Sequence, residues 1–247
     1  NLDDEEYVKK HYIVLCTKNG IIKKTDLEDF SRPRQTGINA INILEGDQLI
    51  AAEMTDGESE IIMAVKSGRA IRFHETAVRS TGRGGIGVAG IDVENNDDQV
   101  VGMICVNKND KSKTILVVSE KGYGKRTNID DPETGEPIYR ITNRGGKGVK
   151  TINVTDKTGK LVGLLAVTEQ EDLMITCMSG ITIRMAVKNI SVQGRATQGV
   201  KLIRVDEGDE IAAITNLDEM EEEEEISGDN DTQSNSDENQ TPEGTTD

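Results

Sequence analysis

Apolar residues gather along this chain in short runs instead of at helical spacing, and the runs return in the same order four times. The first, Tyr12-Ile13-Val14-Leu15-Cys16-Thr17, turns at Lys18-Asn19-Gly20 into Ile21-Ile22-Lys23-Lys24. The pattern comes back over Ile61 to Arg72, Ile115 to Arg126 and Leu173 to Arg184. Runs of Val, Ile and Thr bounded by Asn-Gly, Ser-Gly and Lys-Gly turns predict β-hairpins. The turn glycines Gly20, Gly68, Gly122 and Gly180 lie 48, 54 and 58 residues apart, and a cation follows each by four positions: Lys24, Arg72, Arg126 and Arg184. No helix beyond single turns such as Leu27 to Phe30 is predicted, because no segment sets apolar residues at helical spacing between start and stop signals.

A second motif follows each hairpin. Gly37-Ile38-Asn39-Ala40-Ile41 is echoed from Gly87-Val88, Gly148-Val149 and Gly199-Val200. Three of these copies carry an arginine four residues earlier, at Arg83, Arg144 and Arg195; the first has Pro33 there, between Arg32 and Arg34. A weaker third echo runs through Gly46-Asp47-Gln48-Leu49, Asp97-Asp98-Gln99-Val100 and Gly208-Asp209-Glu210-Ile211. A repeat near fifty residues built of about four short strands cannot bury its apolar face alone, and neighbouring copies must cover it. The fold class expected is therefore all-β, a propeller-like array of four blades over residues 1–57, 58–110, 111–169 and 170–216, together one domain, followed by an acidic tail over 217–247.

Charge is distributed unevenly. The net charge is −16, yet residues 217–247 hold 13 Asp and Glu with no Lys or Arg. Setting these aside with the four acids from Asp3 to Glu6 leaves 28 acids against 29 bases, so the body is near neutral. The tail has almost no apolar side chains to offset the entropy of ordering, which predicts disorder. It reads either as a solubilising extension or as an internal competitor for a basic surface. Cys16, Cys105 and Cys177 lie in apolar runs without metal-ligand spacing and read as buried small hydrophobes. Three cysteines, no CxxC, no signal peptide and no long apolar run point to a reducing, cytoplasmic compartment with no membrane partner. The chain opens at Asn1, almost directly on its first repeat, as a piece of a longer protein would.

Two glycine clusters imitate nucleotide sites. Gly82-Arg83-Gly84-Gly85-Ile86-Gly87 satisfies GxGxxG, but a dinucleotide fingerprint needs a helix next, and Val88 to Val93 alternates as a strand. Arg144-Gly145-Gly146-Lys147-Gly148 lacks the Ser or Thr and the upstream frame of a P-loop. It reads either as a flexible turn or as a loop whose glycines let the backbone approach a phosphate chain while Arg144 and Lys147 supply charge. His11 and His74 have no recurring acid or serine partner, and no catalytic residue, cofactor, metal or small-molecule substrate is expected.

Cations in phase with the repeat suggest one basic rim. Single-stranded nucleic acid is usually gripped by aromatic stacking, and this chain has two Phe, four Tyr and no Trp. Duplex DNA held through its phosphates, without reading of bases, fits better. The residues expected to contact phosphate are Lys23, Lys24, Arg34, Arg72, Arg83, Lys125, Arg126, Arg144, Lys147, Arg184 and Arg195. About eight contacts would lose on the order of 10³ to 10⁵ in affinity between low and moderate salt.

Asn19-Gly20-Ile21-Ile22-Lys23-Lys24-Thr25, Gly122-Tyr123-Gly124-Lys125-Arg126-Thr127 and Ile190-Ser191-Val192-Gln193-Gly194-Arg195-Ala196-Thr197-Gln198-Gly199-Val200 resemble the blade motifs of one family, the C-terminal domain of the DNA gyrase A protein. The resemblance covers residues 7 to about 216. It implies a β-pinwheel whose blades exchange a strand, with DNA wrapped on a basic outer rim, inside an ATP-dependent topoisomerase that introduces negative supercoils. On that resemblance this chain begins at about the third blade, and its partners are double-stranded DNA and, within a heterotetramer, the remainder of gyrase A together with gyrase B. ATP and Mg belong to other domains, as does the cleaving tyrosine, so Tyr7, Tyr12, Tyr123 and Tyr139 receive no such role. Thr142-Asn143-Arg144-Gly145-Gly146-Lys147-Gly148 matches the family's Gln-Arg-Arg-Gly-Gly-Lys-Gly box in its last five positions and reads as a repeat-equivalent turn. The corresponding domain of topoisomerase IV and a protein-binding β-propeller without DNA affinity are the competing readings.

Overall fold

Each repeat begins with a hairpin whose turn demands glycine. Gly20, Gly68 and Gly122 adopt φ of +86°, +83° and +82°, a left-handed conformation that costs an L-residue about 1–2 kcal/mol. A Cβ at these three positions would also stand 2.6, 2.8 and 2.5 Å from the carbonyl oxygens of Ile91, Ile152 and Ile203, each in the next repeat. The glycine therefore serves both the turn and the docking of the following blade.

The computed structural model describes residues 4–94 and 97–218. The hairpins are β1 (Tyr12–Thr17) with β2 (Ile21–Asp26), β4 (Ser59–Val65) with β5 (Arg69–His74), β8 (Thr114–Ser119) with β9 (Tyr123–Asn128), and β12 (Asp172–Cys177) with β13 (Thr182–Ala186). A third antiparallel strand closes each: β3 (Leu49–Thr55), β7 (Val100–Asn107), β11 (Leu161–Val167) and β15 (Ile211–Leu217). The fourth strand is borrowed. The two-residue strands β6 (Val88–Ala89), β10 (Val149–Lys150) and β14 (Val200–Lys201) pair not with their own repeat but with β2, β5 and β9 of the one before. This gives sheets ordered β3-β1-β2-β6, β7-β4-β5-β10 and β11-β8-β9-β14, and a last sheet of three strands, β13-β12-β15. The all-β reading and the exchange of strands between blades both hold. Among the described residues the first and last repeats are joined neither by strand pairing nor by the close packing that links successive inner strands, so the blades form an open arc.

The core lies between blades. One apolar cluster joins Val14, Cys16 and Ile22 to Ile61, Met63 and Phe73; a second joins Ile62 and Ile104 to Ile115, Val117 and Leu161; a third joins Leu116 and Val118 to Leu173, Ile175 and Ile203. Strand β4, covered on both faces, is buried along its whole length, whereas β3 at one end of the arc is largely exposed. The inner strands β3, β7, β11 and β15 pack in succession.

One element escapes the hydrophobic pattern. A six-residue helix, α1 (Glu5–Lys10), is started by Asp4, whose carboxylate accepts the Glu6 and Tyr7 N–H groups, with acids in its first turn and lysines in its last. It is too short to show a 3.6-residue period, and Val8 is its one buried residue. Leu27–Phe30 forms a 3-10 turn, as its spacing suggests. The acidic segment beyond Asp218 lies outside the described residues.

Gly122→Ala combines a left-handed alanine with displacement of the Ile203 backbone and should cost about 2–4 kcal/mol in urea unfolding. At Gly135, where φ is +74° but no atom lies within 4 Å of a new Cβ, the same change should cost only about 1 kcal/mol.

Candidate nucleic-acid interface

The cations that keep strict phase with the hairpins are not on a surface. Lys23, Lys24, Arg72, Lys125 and Arg126 are between 0 and 7 % exposed, because β2, β5 and β9 are each overlaid by the next blade. Their charge is satisfied inside. Lys24 Nζ lies 3.5 Å from the Glu75 carboxylate and 4.5 Å above the Tyr12 ring. Glu75, fully buried, also accepts the Ser59 N–H and the Thr55 hydroxyl, each at 2.7 Å. Arg72 spans a junction more completely: Nε donates to Glu60 at 2.7 Å, and Nη1 donates to Asp130 at 2.6 Å and the Tyr139 carbonyl at 2.9 Å. Burial works to raise the Asp130 carboxyl, and the bonds from Arg72 and Lys111 hold it below the usual range. Arg126 Nε donates to the Ile190 carbonyl at 2.7 Å and Nη1 to Glu169 at 3.0 Å. Each of these three side chains reaches from one repeat into the next.

Lys23 and Lys125, one residue earlier on the opposite strand face, are likewise bound inside. Lys23 donates to the Thr25 hydroxyl and to the Ala40 carbonyl. Lys125 donates to the carbonyls of Gly194 and Arg195 at 2.5 and 2.6 Å. Burial pushes the Lys125 ammonium down to about 8, and the nearby Arg195 charge adds to the effect. Lys23 is lowered by the same desolvation, opposed by Asp29. Cations whose donors are engaged this way are poor phosphate ligands, so the expectation of a rim contact at these five positions gives way to a structural role. Their repetition reflects a repeated junction.

The other six reach solvent. Arg34 is exposed and Arg83 half-buried. Arg144 lies against the preceding repeat, donating to the carbonyls of Ala77 and Ala89 at 3.0 Å each, and Arg195 donates to the Lys150 carbonyl at 2.6 Å. Both guanidinium groups are thereby fixed beside a borrowed strand while remaining half exposed. Lys147, 64 % exposed, pairs with Glu94 at 2.9 Å. Arg184 occupies the clamp position of the last repeat, yet it is 40 % exposed and, among the described residues, bonds to Asp172 of its own hairpin at 2.5 Å, since no described repeat overlies β13.

Backbone bonds chain the glycine loops together: Asn42 N–H donates to the Gly85 carbonyl, Asp92 N–H to Gly146, and Asn153 N–H to Thr197. Gly82–Gly87 leads into β6 and not a helix, so the dinucleotide reading lacks its anion-binding helix end. Arg140, Arg144 and Lys147 line one open groove with the loop backbone between them. Lys150 and Lys201, exposed on borrowed strands β10 and β14, were missed as candidates. Their signal was the position two residues after Gly148 and Gly199. Tyr139 is wholly buried with its hydroxyl 2.5 Å from Thr151 Oγ1, and Tyr7 stacks on His11. Both are packing roles.

Replacing Arg72 with Met leaves Glu60 and the Tyr139 carbonyl buried without this donor, and should lower unfolding stability by about 3–5 kcal/mol in chemical denaturation. Lys125 gives a second test through pH. The unfolded chain keeps this proton up to its ordinary value of 10.5 while the folded chain releases it near 8, so the unfolded state binds more protons between these values. Stability contributed by this group therefore rises with pH across that window. Lys125→Met should lack the rise, so the native chain should gain on the variant in urea unfolding between about pH 7 and about pH 10.

Comparison with known proteins agrees with this geometry. The family model of the DNA gyrase C-terminal domain, beta-propeller, matches residues 11–56, 59–107, 113–131, 139–168 and 171–218. The gyrase A protein of Staphylococcus epidermidis is 38 % identical over 222 residues, 90 % of this chain and 23 % of that protein, and its Staphylococcus aureus counterpart is 40 % identical over 214 residues, 87 % and 23 % respectively. The chain thus spans under a quarter of these relatives' length. A solved DNA gyrase A C-terminal domain superposes with a TM-score of 0.71 at 26 % identity, covering 85 % of this chain and 66 % of that one. The C-terminal domain of DNA topoisomerase IV shares the fold, with a TM-score of 0.75 at 20 % identity over 85 % of this chain and 62 % of that one. The interlocked β-repeats of this chain belong to the DNA gyrase C-terminal domain, beta-propeller family.

Proposed function

We propose that this chain binds duplex DNA along the outer edge of its blades and bends it, as the wrapping part of a gyrase A protein within a type IIA topoisomerase that introduces negative supercoils with ATP. The observation that carries the reading is the recurrence of an incompletely buried arginine five residues ahead of each borrowed strand. Arg83, Arg144 and Arg195 stand at equivalent loop positions, with Lys147, Lys150 and Lys201 next to them and Arg34 at the first loop. Six or more such cations suffice for phosphate-directed affinity that falls on the order of 10³-fold or more between 50 and 200 mM salt. Contacts of this kind position DNA without specifying its sequence. Bending a duplex costs several kcal/mol by elastic estimates, offset by contacts gathered along a curved, rigid edge.

In this reading the chain supplies no catalytic residue. Cleavage, ATP and Mg belong to the remainder of gyrase A and to gyrase B, in a cytoplasmic heterotetramer. Among the described residues no helix is long and apolar enough to cross a membrane. The acidic tail acts as a competitor for the basic edge. The higher identity to gyrase A than to topoisomerase IV favours the gyrase assignment.

Charge reversal tests the edge. Arg83→Glu and Lys147→Glu should each weaken binding to all duplex sequences alike and reduce the slope of log affinity against log salt by about one per cation removed, in variants whose fold is checked by circular dichroism. Removing residues after Asp218 should tighten binding at low salt. Unchanged affinity in the charge-reversed variants would overturn the assignment in favour of a protein-binding propeller.

A further inference from the structure

The edge that carries the recurring arginines also carries recurring aliphatic side chains. Val88, Val149 and Val200 stand five residues after Arg83, Arg144 and Arg195, at the start of the borrowed strands β6, β10 and β14. Ile141 and Val192 stand three residues before Arg144 and Arg195, and Ile86 stands three after Arg83. Ile86, Val88, Ile141, Val192 and Val200 are between 37 and 50 % exposed, while Val149 is half-buried. Aliphatic residues exposed singly are ordinary on any surface. Those before and after the arginines instead keep phase with the repeat.

Strand geometry does not require them. Ile141 and Val192 each make one isolated parallel bridge, to Arg72 and Arg126 of the preceding repeat, and Val88 and Val200 lie on two-residue strands paired with β2 and β9. Threonine would serve the same extended backbone with the same branched shape, and Ser80 does hold the corresponding bridge to Lys24. Nor do they close the junctions, since Val149 packs against the second apolar cluster but none of the five exposed residues belongs to any of the three. Beside β6 an open groove is edged by Arg79, Ile86 and Val88. Beside β10 its counterpart is edged by Arg140, Lys147 and Val149 at the matching positions. Each groove thus sets an exposed arginine and a valine along one opening.

On the duplex-binding reading above, we propose that these aliphatic side chains pack on the deoxyribose faces of the minor groove where the bent duplex turns that groove toward the edge, with the neighbouring cations on the flanking phosphates. A phosphate offers an aliphatic side chain nothing, whereas the sugar walls of the minor groove are C–H surface common to every sequence. Proteins that bend DNA commonly set apolar side chains in that groove beside arginine and lysine. The occupant is a duplex because each aliphatic residue is interleaved with cations, among them Lys147, Lys150 and Lys201, which complements a surface alternating sugar with phosphate. The core of a protein interface is instead depleted in lysine.

Such contacts add affinity that salt does not screen, which separates them from the cations. Binding of a mixed-sequence duplex is measured across a salt series with the 247-residue chain and with a variant carrying Ile86→Thr, Val88→Thr, Ile141→Thr, Val192→Thr and Val200→Thr, its fold checked by circular dichroism. The variant should bind about tenfold more weakly, or worse, at every salt concentration, while the slope of log affinity against log salt stays that of the native chain. The two-site variant Ile141→Thr with Val192→Thr should lose about threefold in the same way. Both losses should persist on a duplex with uracil in place of thymine, which lacks the major-groove methyl group. Folded variants that match the native affinity, a slope that falls with the substitutions, or a loss that disappears on the uracil duplex would each overturn the proposal. A native chain without duplex affinity would overturn the DNA reading itself, and this proposal with it, leaving the aliphatic edge to a protein partner.

Discussion

Every blade here depends on a face it cannot cover itself. A three-stranded sheet with apolar residues on both sides is stable only between two others, and each repeat supplies the next layer together with a two-residue strand laid across the edge of the one before. That borrowed strand fixes how far the second motif lies from the hairpin, why glycine recurs where backbones cross, and where the loops emerge. It also sets which charges are inside. The outer hairpin strand is overlaid on its edge by the borrowed strand and on both faces by neighbouring side chains, so consecutive residues such as Lys23 and Lys24 are both buried.

Burying a cation is costly unless its donors are met, and the three junctions meet them differently. Lys24 uses the carboxylate and the carbonyl of Glu75 and an aromatic face, Arg72 two carboxylates and two carbonyls, Arg126 a carbonyl and an exposed glutamate. The apolar clusters are built from interchangeable Val, Ile and Leu, but a blade docked on the wrong neighbour would strand one of these charges. The polar sets therefore discriminate among blades that hydrophobic packing alone would confuse.

The architecture was legible because turn chemistry and β-branched runs recur at one spacing, and that recurrence is a property of the chain rather than of any contact. Sidedness was not. Strand alternation predicts one face in and one face out, a rule suited to sheets with a wet side, and the pairs Lys23-Lys24 and Lys125-Arg126 break it by pointing a cation into each of two covered faces. From the sequence their phase looks the same as that of Arg83, Arg144 and Arg195, which lie in loops and do reach solvent. What separates the two groups is the element: cations inside the four-position hairpin frame are covered, except at the uncovered last repeat, and those ahead of the second glycine are not. Helix α1 was illegible for a different reason, since six residues held by an Asp4 cap and terminal charges leave no periodic trace.

The buried cations and the exposed ones thus serve one mechanical end in the proposed wrapping. Duplex DNA resists curvature over the length of a few blades by several kcal/mol, so a loosely strung chain of blades would straighten along the duplex and leave it unbent. An arc can impose its curvature only if each junction costs more to open than the DNA gains by relaxing. A junction closed by backbone bonds to the turn glycine and by an apolar cluster meets that condition, and its paired buried charge fixes which blade docks there. Exposed arginines then need only be numerous and fixed in place, which the carbonyl bonds of Arg144 and Arg195 accomplish. Moving the inner cations to the surface would add phosphate contacts while loosening the junctions that give those contacts their curvature.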